Sequence, residues 1–384
     1  MSLFDEVVER RNSDSFKWNT FDPEVLPMWV ADMDFRAPQV VIDALQDRVA
    51  HGIFGYAKEA GKLKQVIAER LERLSGWKVD PEAVVFVSGV VTGFNLACRT
   101  WAKPNGEVLM QTPVYFPFFW APGYTGMKRV DNPLLVNENG RYEIDFEAFE
   151  AAITPNTALF MLCNPHNPVG RVFNRAELTR LAEICLRHHI PICSDEIHCD
   201  LIFPGEKHTP IASLSGEVEQ NSITLIAPSK TFNIAGLECS AAIIPNKKLR
   251  EQYNTARVGL AGGVNLLGLT AGLAAYCYGQ PWLDELLDYL EGNRDFLASQ
   301  IQTRMPGLKM TPMEGTYLAW VDCRGAGLGE KPAEFFLKEA RVGLNEGAMF
   351  GNEGSGFVRI NFGCPRSLLE EGINRMVESL ERRK

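Results

Sequence analysis

The strongest constraint on this chain is a repeated alternation. Short β-branched and apolar runs occur at Ala83–Val87, Glu107–Gln111, Thr157–Leu162, Ile190–Cys193, Ser222–Ile226 and Cys239–Ile244. Between them lie segments of helical periodicity, such as Phe94–Ala102 and Ala176–His188. Runs of this length read as buried strands. Strands alternating with helices predict an α/β fold, with a mostly parallel sheet sandwiched by helices. In such a sheet, ligands sit beyond the carboxyl ends of the strands.

Those ends carry chemistry. After the first strand comes Ser88-Gly89-Val90-Val91-Thr92-Gly93, a glycine turn that opens a helix. Free N–H groups and the helix dipole make such a turn an anion site, although glycine also serves turn geometry alone. Tyr115 follows the second strand and reads either as core or as a platform for a flat ligand. The third strand ends in Asn164-Pro165-His166-Asn167-Pro168-Val169-Gly170, a rigid loop. The fourth ends in Ser194-Asp195-Glu196-Ile197-His198, and burying such acids is costly without a cationic partner. The fifth leads into Ala227–Leu237, where Lys230 sits on a turn with Pro228 and Ser229. Alone, Lys230 reads as a surface lysine. A rigid mount and a desolvated setting would instead make it a nucleophile. Five such groups on one sheet edge favour a site. No GxGxxG follows the first strand and no GxxxxGK[ST] occurs, which excludes a Rossmann or P-loop reading.

Around this unit the chain is more varied. Arg11–Trp29 reads as an irregular arm, Met28–Phe35 as an extended piece, and Phe54-Gly55-Tyr56 as part of a loop. Pro281–Met305 is predicted as a long amphipathic helix. Beyond it, strands at Leu308–Asp322, Val342–Leu344 and Phe357–Asn361 and helices at Pro332–Ala340 and Ser367–Arg383 predict a smaller α+β C-terminal domain. Gly351, Gly354 and Gly356 read as a loop. The expected division is 1–45 as an arm and part of the small domain, 46–285 as the large domain and 286–384 as the small one. Arg359 is a lone cation in an apolar strand, either an edge residue facing water or a clamp for a substrate carboxylate.

Composition narrows the partners. The net charge is −9 and no basic stripe occurs, which argues against nucleic acid and anionic membranes. No apolar run approaches the roughly 18 residues of a membrane span, and Met1–Arg11 lacks the apolar core of a signal peptide. Nine cysteines, an odd number without CxxC, read as reduced thiols of a cytoplasmic protein. Cys193, His198 and Cys199 lack a second ligand pair at zinc spacing, so no metal is expected.

A strand-end lysine, a strand-end aspartate and a phosphate turn are what pyridoxal 5′-phosphate requires. At these residues the chain resembles fold-type I pyridoxal-phosphate enzymes of aminotransferase class I/II. It is most similar to the MalY/PatB-type cystathionine β-lyases, or C–S β-lyases. The likeness is carried by Lys17-Trp18, Trp29–Phe35, Phe54-Gly55-Tyr56, Gly89-Val90-Val91, Asn164–Gly170, Ser194–His198, Ser229–Asn233, Thr316–Trp320 and Val358–Arg366, in family order along almost the whole chain. The resemblance implies that the large domain is a pyridoxal-phosphate transferase domain, with Lys230 as the Schiff-base lysine and proton shuttle. Asp195 would pair with the pyridine nitrogen, Asn167 with the ring 3′-oxygen, and Tyr115 would stack on the ring. Val90, Val91 and Ser229 would hold the phosphate, joined by Tyr56 of a neighbouring subunit, which implies a homodimer with shared active sites. Arg359 would bind the α-carboxylate of an amino-acid substrate.

Three positions depart from the wider aminotransferase pattern. Glu238 stands where many relatives carry a phosphate-binding Arg, Ala227 where many have Ser, and His198 where many have Tyr beside the cofactor. The His favours a lyase. The implied activity is cleavage of L-cystathionine or a related cysteine S-conjugate to thiol, pyruvate and ammonia. The alternatives are an aminotransferase acting between an amino acid and a 2-oxo acid, and a MalY-like binder of a transcription activator. If Lys230 is the proton shuttle, Lys230→Ala lowers turnover at least about a hundredfold, the scale of a lost general base; near-normal steady-state rates would refute the assignment.

Overall fold

The computed structural model describes residues 2–58 and 60–383. Met1, Glu59 and Lys384, which fall within the three ranges expected from sequence, lie outside the described residues. A seven-stranded sheet forms the larger body. Its strands in chain order are β1 (Val84–Val87), β2 (Glu107–Thr112), β3 (Lys128–Pro133), β4 (Thr157–Cys163), β5 (Ile192–Asp195), β6 (Ser222–Ile226) and β7 (Ser240–Ile243). The spatial order is β1-β7-β6-β5-β4-β2-β3. β7 runs antiparallel to both neighbours, and the other neighbouring pairs are parallel.

Strand pleating explains the layers. In β2, Val108 and Met110 point into one apolar cluster and Leu109 into another. In β4, Leu159 and Met161 share the first cluster, and Phe160 and Leu162 the second. A sheet buried on both faces needs such continuous apolar runs. The helix Arg175–Arg187 covers the second face with Leu178, Leu181 and Cys185, spaced to fall on one side. Asn174 and Glu177 close its first turn as a capping box.

Several boundaries differ from those expected. β3 is an additional edge strand, Lys-Arg-Val-Asp-Asn-Pro, whose charges hide any apolar pattern. The helix after β1 begins at Val90, not at Phe94. Lys230 lies within a short helical turn, Pro228–Thr231. The run 308–322 forms strand only at its two ends, and the loop at 351–356 contains a 3-10 turn, Asn352–Gly354.

The smaller C-terminal domain holds an antiparallel sheet of β8 (Lys309–Met310), β9 (Leu318–Asp322), β10 (Asn345–Glu346) and β11 (Phe357–Asn361). Its order is β8-β9-β11-β10, so Arg359 lies on an inner strand. The continuous helix Gln280–Arg304 leads into this sheet. The N-terminal arm joins it through Leu26–Pro27, which pairs with Val342–Gly343.

From there the arm crosses between the two sheets as an irregular stretch, 29–35, which bends at 30–31 and 34–35 where an extended piece was expected. Asn361 Nδ2 donates to the carbonyls of Val30 (2.5 Å) and Asp32 (2.7 Å). Asn233 accepts from Met33 N–H at 3.0 Å and donates to the carbonyls of Met33 and Phe35. Asp34 is buried and accepts from Arg10 (2.6 Å), Lys17 (2.6 Å) and the Trp18 indole (2.7 Å). Lys17 is itself buried, so Asp34→Ala leaves its ammonium only the Asp32 carbonyl at 3.1 Å and the Asp32 carboxylate at 3.9 Å. Losing one partner of a buried pair costs about 3–5 kcal/mol. Urea unfolding should show a loss of that size, and a change below about 1 kcal/mol would mean that water solvates the pair.

Candidate active site

The carboxyl ends of β1, β4, β5 and β6 surround a cavity of about 160 Å³. Of the ten residues singled out from sequence, Val90, Val91, Tyr115, Asn167, Asp195, His198, Ser229 and Lys230 line it. Arg359 stands behind Asn167, to which its Nη1 donates at 3.0 Å. Tyr56 does not reach the cavity of its own chain and is fully exposed in the coil after the helix Gln39–His51.

One end of the cavity suits an anion. The helix Val90–Thr100 starts there with no side-chain cap, so the N–H groups of its first turn are free of helical partners. Ser229 lies beside them, and so does the acidic Glu238, which has a left-handed backbone at φ 51°. The wall is aromatic at Tyr115. Because Asn167 Oδ1 accepts from Arg359, its Nδ2 is the donor left for a ligand.

Asp195 ends β5 and accepts a hydrogen bond from Ile197 N–H at 3.1 Å. Burial pushes its carboxyl up to about 7, against that hydrogen bond; the Glu196 carboxylate adds to the rise and Lys230 opposes it. No ion-pair partner within 4 Å is found for it among the described residues. A buried carboxylate in this state fits a ligand that carries a protonated ring nitrogen.

Lys230 faces the same space. Burial pushes its amine down to about 8; Asp32 and Asp195 pull upward and Arg359 pushes further down. Its Nζ donates to the Ala31 carbonyl at 2.7 Å. The next residue, Thr231, donates to Asp200 Oδ2 at 3.0 Å, and Asp200 pairs with Arg70 at 2.7 Å. The turn that carries the lysine is thus anchored by a buried ion pair. An amine near 8 is partly neutral at physiological pH, as a nucleophile or general base requires.

Two further groups complete the surroundings. His198 is buried, which pushes its imidazole down to about 3 and keeps it neutral; its Nδ1 lacks a partner in the structure. Arg359 Nη2 donates to Trp29 O (3.0 Å) and Asn345 Oδ1 (2.6 Å), and the guanidinium lies 4.7 Å from the centre of the Phe350 ring. Its buried Nε is unpartnered, which leaves a donor for a carboxylate. Burial pushes this guanidinium down to about 10, so it remains a cation at neutral pH.

The sequence reading omitted Ala31, Tyr317, Trp29 and Asn345 from the site. Ala31 acts through a backbone carbonyl, which has no side-chain signature. Tyr317 lay inside a stretch already singled out and offered one signal, a hydroxyl at the start of an apolar strand. Among the described residues no group of three His, Cys, Asp or Glu side chains is placed to hold a metal ion.

Comparison with known proteins places these residues in context. Residues 23–376 match the family model for aminotransferase class I and II. Cystathionine beta-lyase PatB of Bacillus subtilis (strain 168) is 43% identical, over 98% of this chain and 99% of the relative. The crystal structure of cystalysin from Treponema denticola, which contains a pyridoxal 5′-phosphate cofactor, superposes with a TM-score of 0.96 at 33% identity and covers 99% of each chain. The PLP-bound C–S lyase from Staphylococcus hominis gives 0.92 at 34%, covering 98% of each.

Proposed function

The chain belongs to the aminotransferase class I and II family, and we propose that it is a pyridoxal-phosphate-dependent C–S β-lyase. Its substrate is L-cystathionine or a related cysteine S-conjugate, and its products are a thiol, pyruvate and ammonia. The observation that carries the chemistry is the pairing of Lys230, with its lowered amine, and Asp195, a buried carboxyl without a cation, across one cavity. The full-length likeness to lyases supports the choice of reaction.

The residues fit the cofactor. The uncapped helix start at Val90 and Val91, with Ser229, suits a phosphate. Asp195 suits a protonated pyridine nitrogen, Asn167 the ring oxygen and Tyr115 the ring face. His198, neutral and unpartnered, adds a polar group beside them. When bound, pyridoxal phosphate supplies a sink for the electron pair left on the substrate Cα. Lys230 would hold the cofactor, and its neutral amine would take the Cα proton. Arg359 orients the substrate through its α-carboxylate. Asp195 keeps a positive charge at the far end of the cavity. Hydrophobic walls at Val90, Tyr115 and Ile197 limit access of water to the reacting carbons.

The working form is a homodimer in the cytoplasm. Tyr56, Phe54 and Ile53 are exposed, as are Val258 and Leu260, and such apolar side chains suit burial against a second copy. Tyr56 would then supply its hydroxyl to the neighbour's phosphate. The division at 46–285 and 286–384, with 1–45 as the arm, separates a cofactor domain from a smaller domain that carries Arg359. Nine free thiols, most of them buried, suit a reducing compartment.

The decisive assay supplies L-cystathionine to the holoenzyme without any 2-oxo acid. Stoichiometric pyruvate and free thiol are the expected products. Amino-group transfer that depends on an added 2-oxo acid, with no thiol released, would make the protein an aminotransferase. For the assembly, sedimentation should give about twice the 42.8 kDa chain mass; a monomer with full cofactor retention would exclude the shared site.

A further inference from the structure

The Ala31 carbonyl oxygen receives two donors. Lys230 Nζ lies at 2.7 Å and the Tyr317 hydroxyl at 2.8 Å. This oxygen has little freedom to move. The carbonyls on either side of it, Val30 and Asp32, are both held by Asn361, and Trp29 O is held by Arg359. Tyr317 is equally fixed. It is buried, its ring meets His198 edge-on at 6.1 Å, and it follows Thr316, whose φ is +68°. A β-branched residue rarely adopts that conformation, and strain of this kind persists where the surroundings enforce it. Here it turns the chain from Gly315 into β9 so that the Tyr317 hydroxyl reaches the arm.

A carbonyl oxygen has two lone pairs, and both are used. Each donor draws on the same electron density, so the two compete. We propose that Tyr317 is a positioning residue for Lys230: by sharing Ala31 O it weakens that oxygen's hold on the ammonium form and favours the neutral, reactive amine. The inference rests on the reading of Lys230 as the reactive amine. The other charged or titratable groups around Lys230 are Asp32 on the arm, Asp195 at the end of β5, His198 after it, Arg359 on β11, Tyr115 after β2, and Glu238, Cys163 and Cys239 at the cavity wall. All of them remain in a Tyr317→Phe variant, which removes only the hydroxyl.

The test reads the amine directly. Full-length wild type and Tyr317→Phe, both stripped of bound cofactor with hydroxylamine and dialysed, are pulse-labelled with acetic anhydride across neutral to alkaline pH, and acetylation of Lys230 is quantified by mass spectrometry. In the wild type, labelling should reach half its maximum near pH 8. In the variant, Ala31 O serves the ammonium alone, so the proton is held more tightly and the midpoint rises. One competing hydrogen bond corresponds to about 0.5–1 pH unit, or roughly three- to tenfold less labelling at neutral pH. An unmoved or lowered midpoint, including one accompanied only by a change in melting temperature, overturns the proposal. Should Tyr317→Phe unfold under the assay conditions, a fluorotyrosine incorporated at position 317 tests the same contact without removing the hydroxyl, because its more acidic O–H donates more strongly to Ala31 O. Its midpoint should fall, and no fall overturns the proposal. Cofactor uptake by the wild type, followed by absorbance, is scored separately, so a failure of the pyridoxal-phosphate reading stays distinct from a failure of this one.

Discussion

The stretch between Trp29 and Phe35 is a peptide chain threaded between two sheets, and its polar backbone must find partners there. Leaving a buried carbonyl or N–H unpaired costs as much as a lost hydrogen bond or more. Asn361 from the smaller sheet, Asn233 from just beyond the lysine turn, Arg359 and Tyr317 supply those partners. The pairing that satisfies the arm therefore also fixes the distance between the bodies that carry Lys230 and Arg359. Arg10, Lys17 and the Trp18 indole converge on Asp34 to hold the near end of the stretch. The site is a joint in the chain before it is a set of reactive groups.

Burial has opposite effects on the groups gathered at that joint. It drives the Lys230 amine and the His198 imidazole down and the Asp195 carboxyl up. Each is moved towards its neutral form because the pocket supplies too few charges to compensate. A ligand with an anionic end and a cationic ring would reverse the balance for Asp195. The ion pair of Arg70 and Asp200 lies just outside, where its charges are already matched, and Glu196 nearby accepts from the Ser194 hydroxyl and lies 2.8 Å from His208 Nε2. Matched charges give the frame its rigidity, and the unmatched ones are left to react.

How much of this was legible in the sequence depended on where each residue sits. Lys230, Asp195, Asn167 and Tyr115 each follow a strongly apolar strand, so the strand pattern alone places them on one edge. Arg359 was ambiguous because β10, its outer neighbour, has only two residues and leaves no periodic trace. The edge strand β3 was missed because its sequence is mostly charged and polar. Val90 and Val91 read as part of a glycine turn ahead of the helix, since β-branched residues are weak helix formers, yet they open a helix whose free N–H groups are the useful feature. Ala31 was beyond reach, since its contribution is a carbonyl that any residue possesses. Tyr317 depended on a local backbone distortion that no propensity scale encodes.

The reversed strand β7 has a mechanical consequence. Because it runs back along β6, with Ala241 opposite Ile226 and Ala242 opposite Leu225, the segment bearing Lys230 leaves and re-enters the sheet at the same edge. It spans residues 227–239, is stiffened by the helical turns Pro228–Thr231 and Ala235–Leu237, and is clamped at both feet, with Thr231 tied down between them. Such a loop has no lever arm and cannot swing as a flap. The opposite side differs, because it is formed by the arm at Ala31 and backed by the small sheet, whose Arg359 stands behind Asn167. The arm binds that side to the lysine, since Ala31 O accepts from Lys230 and Trp29 O from Arg359, so the lysine is an anvil against which the far side is already set.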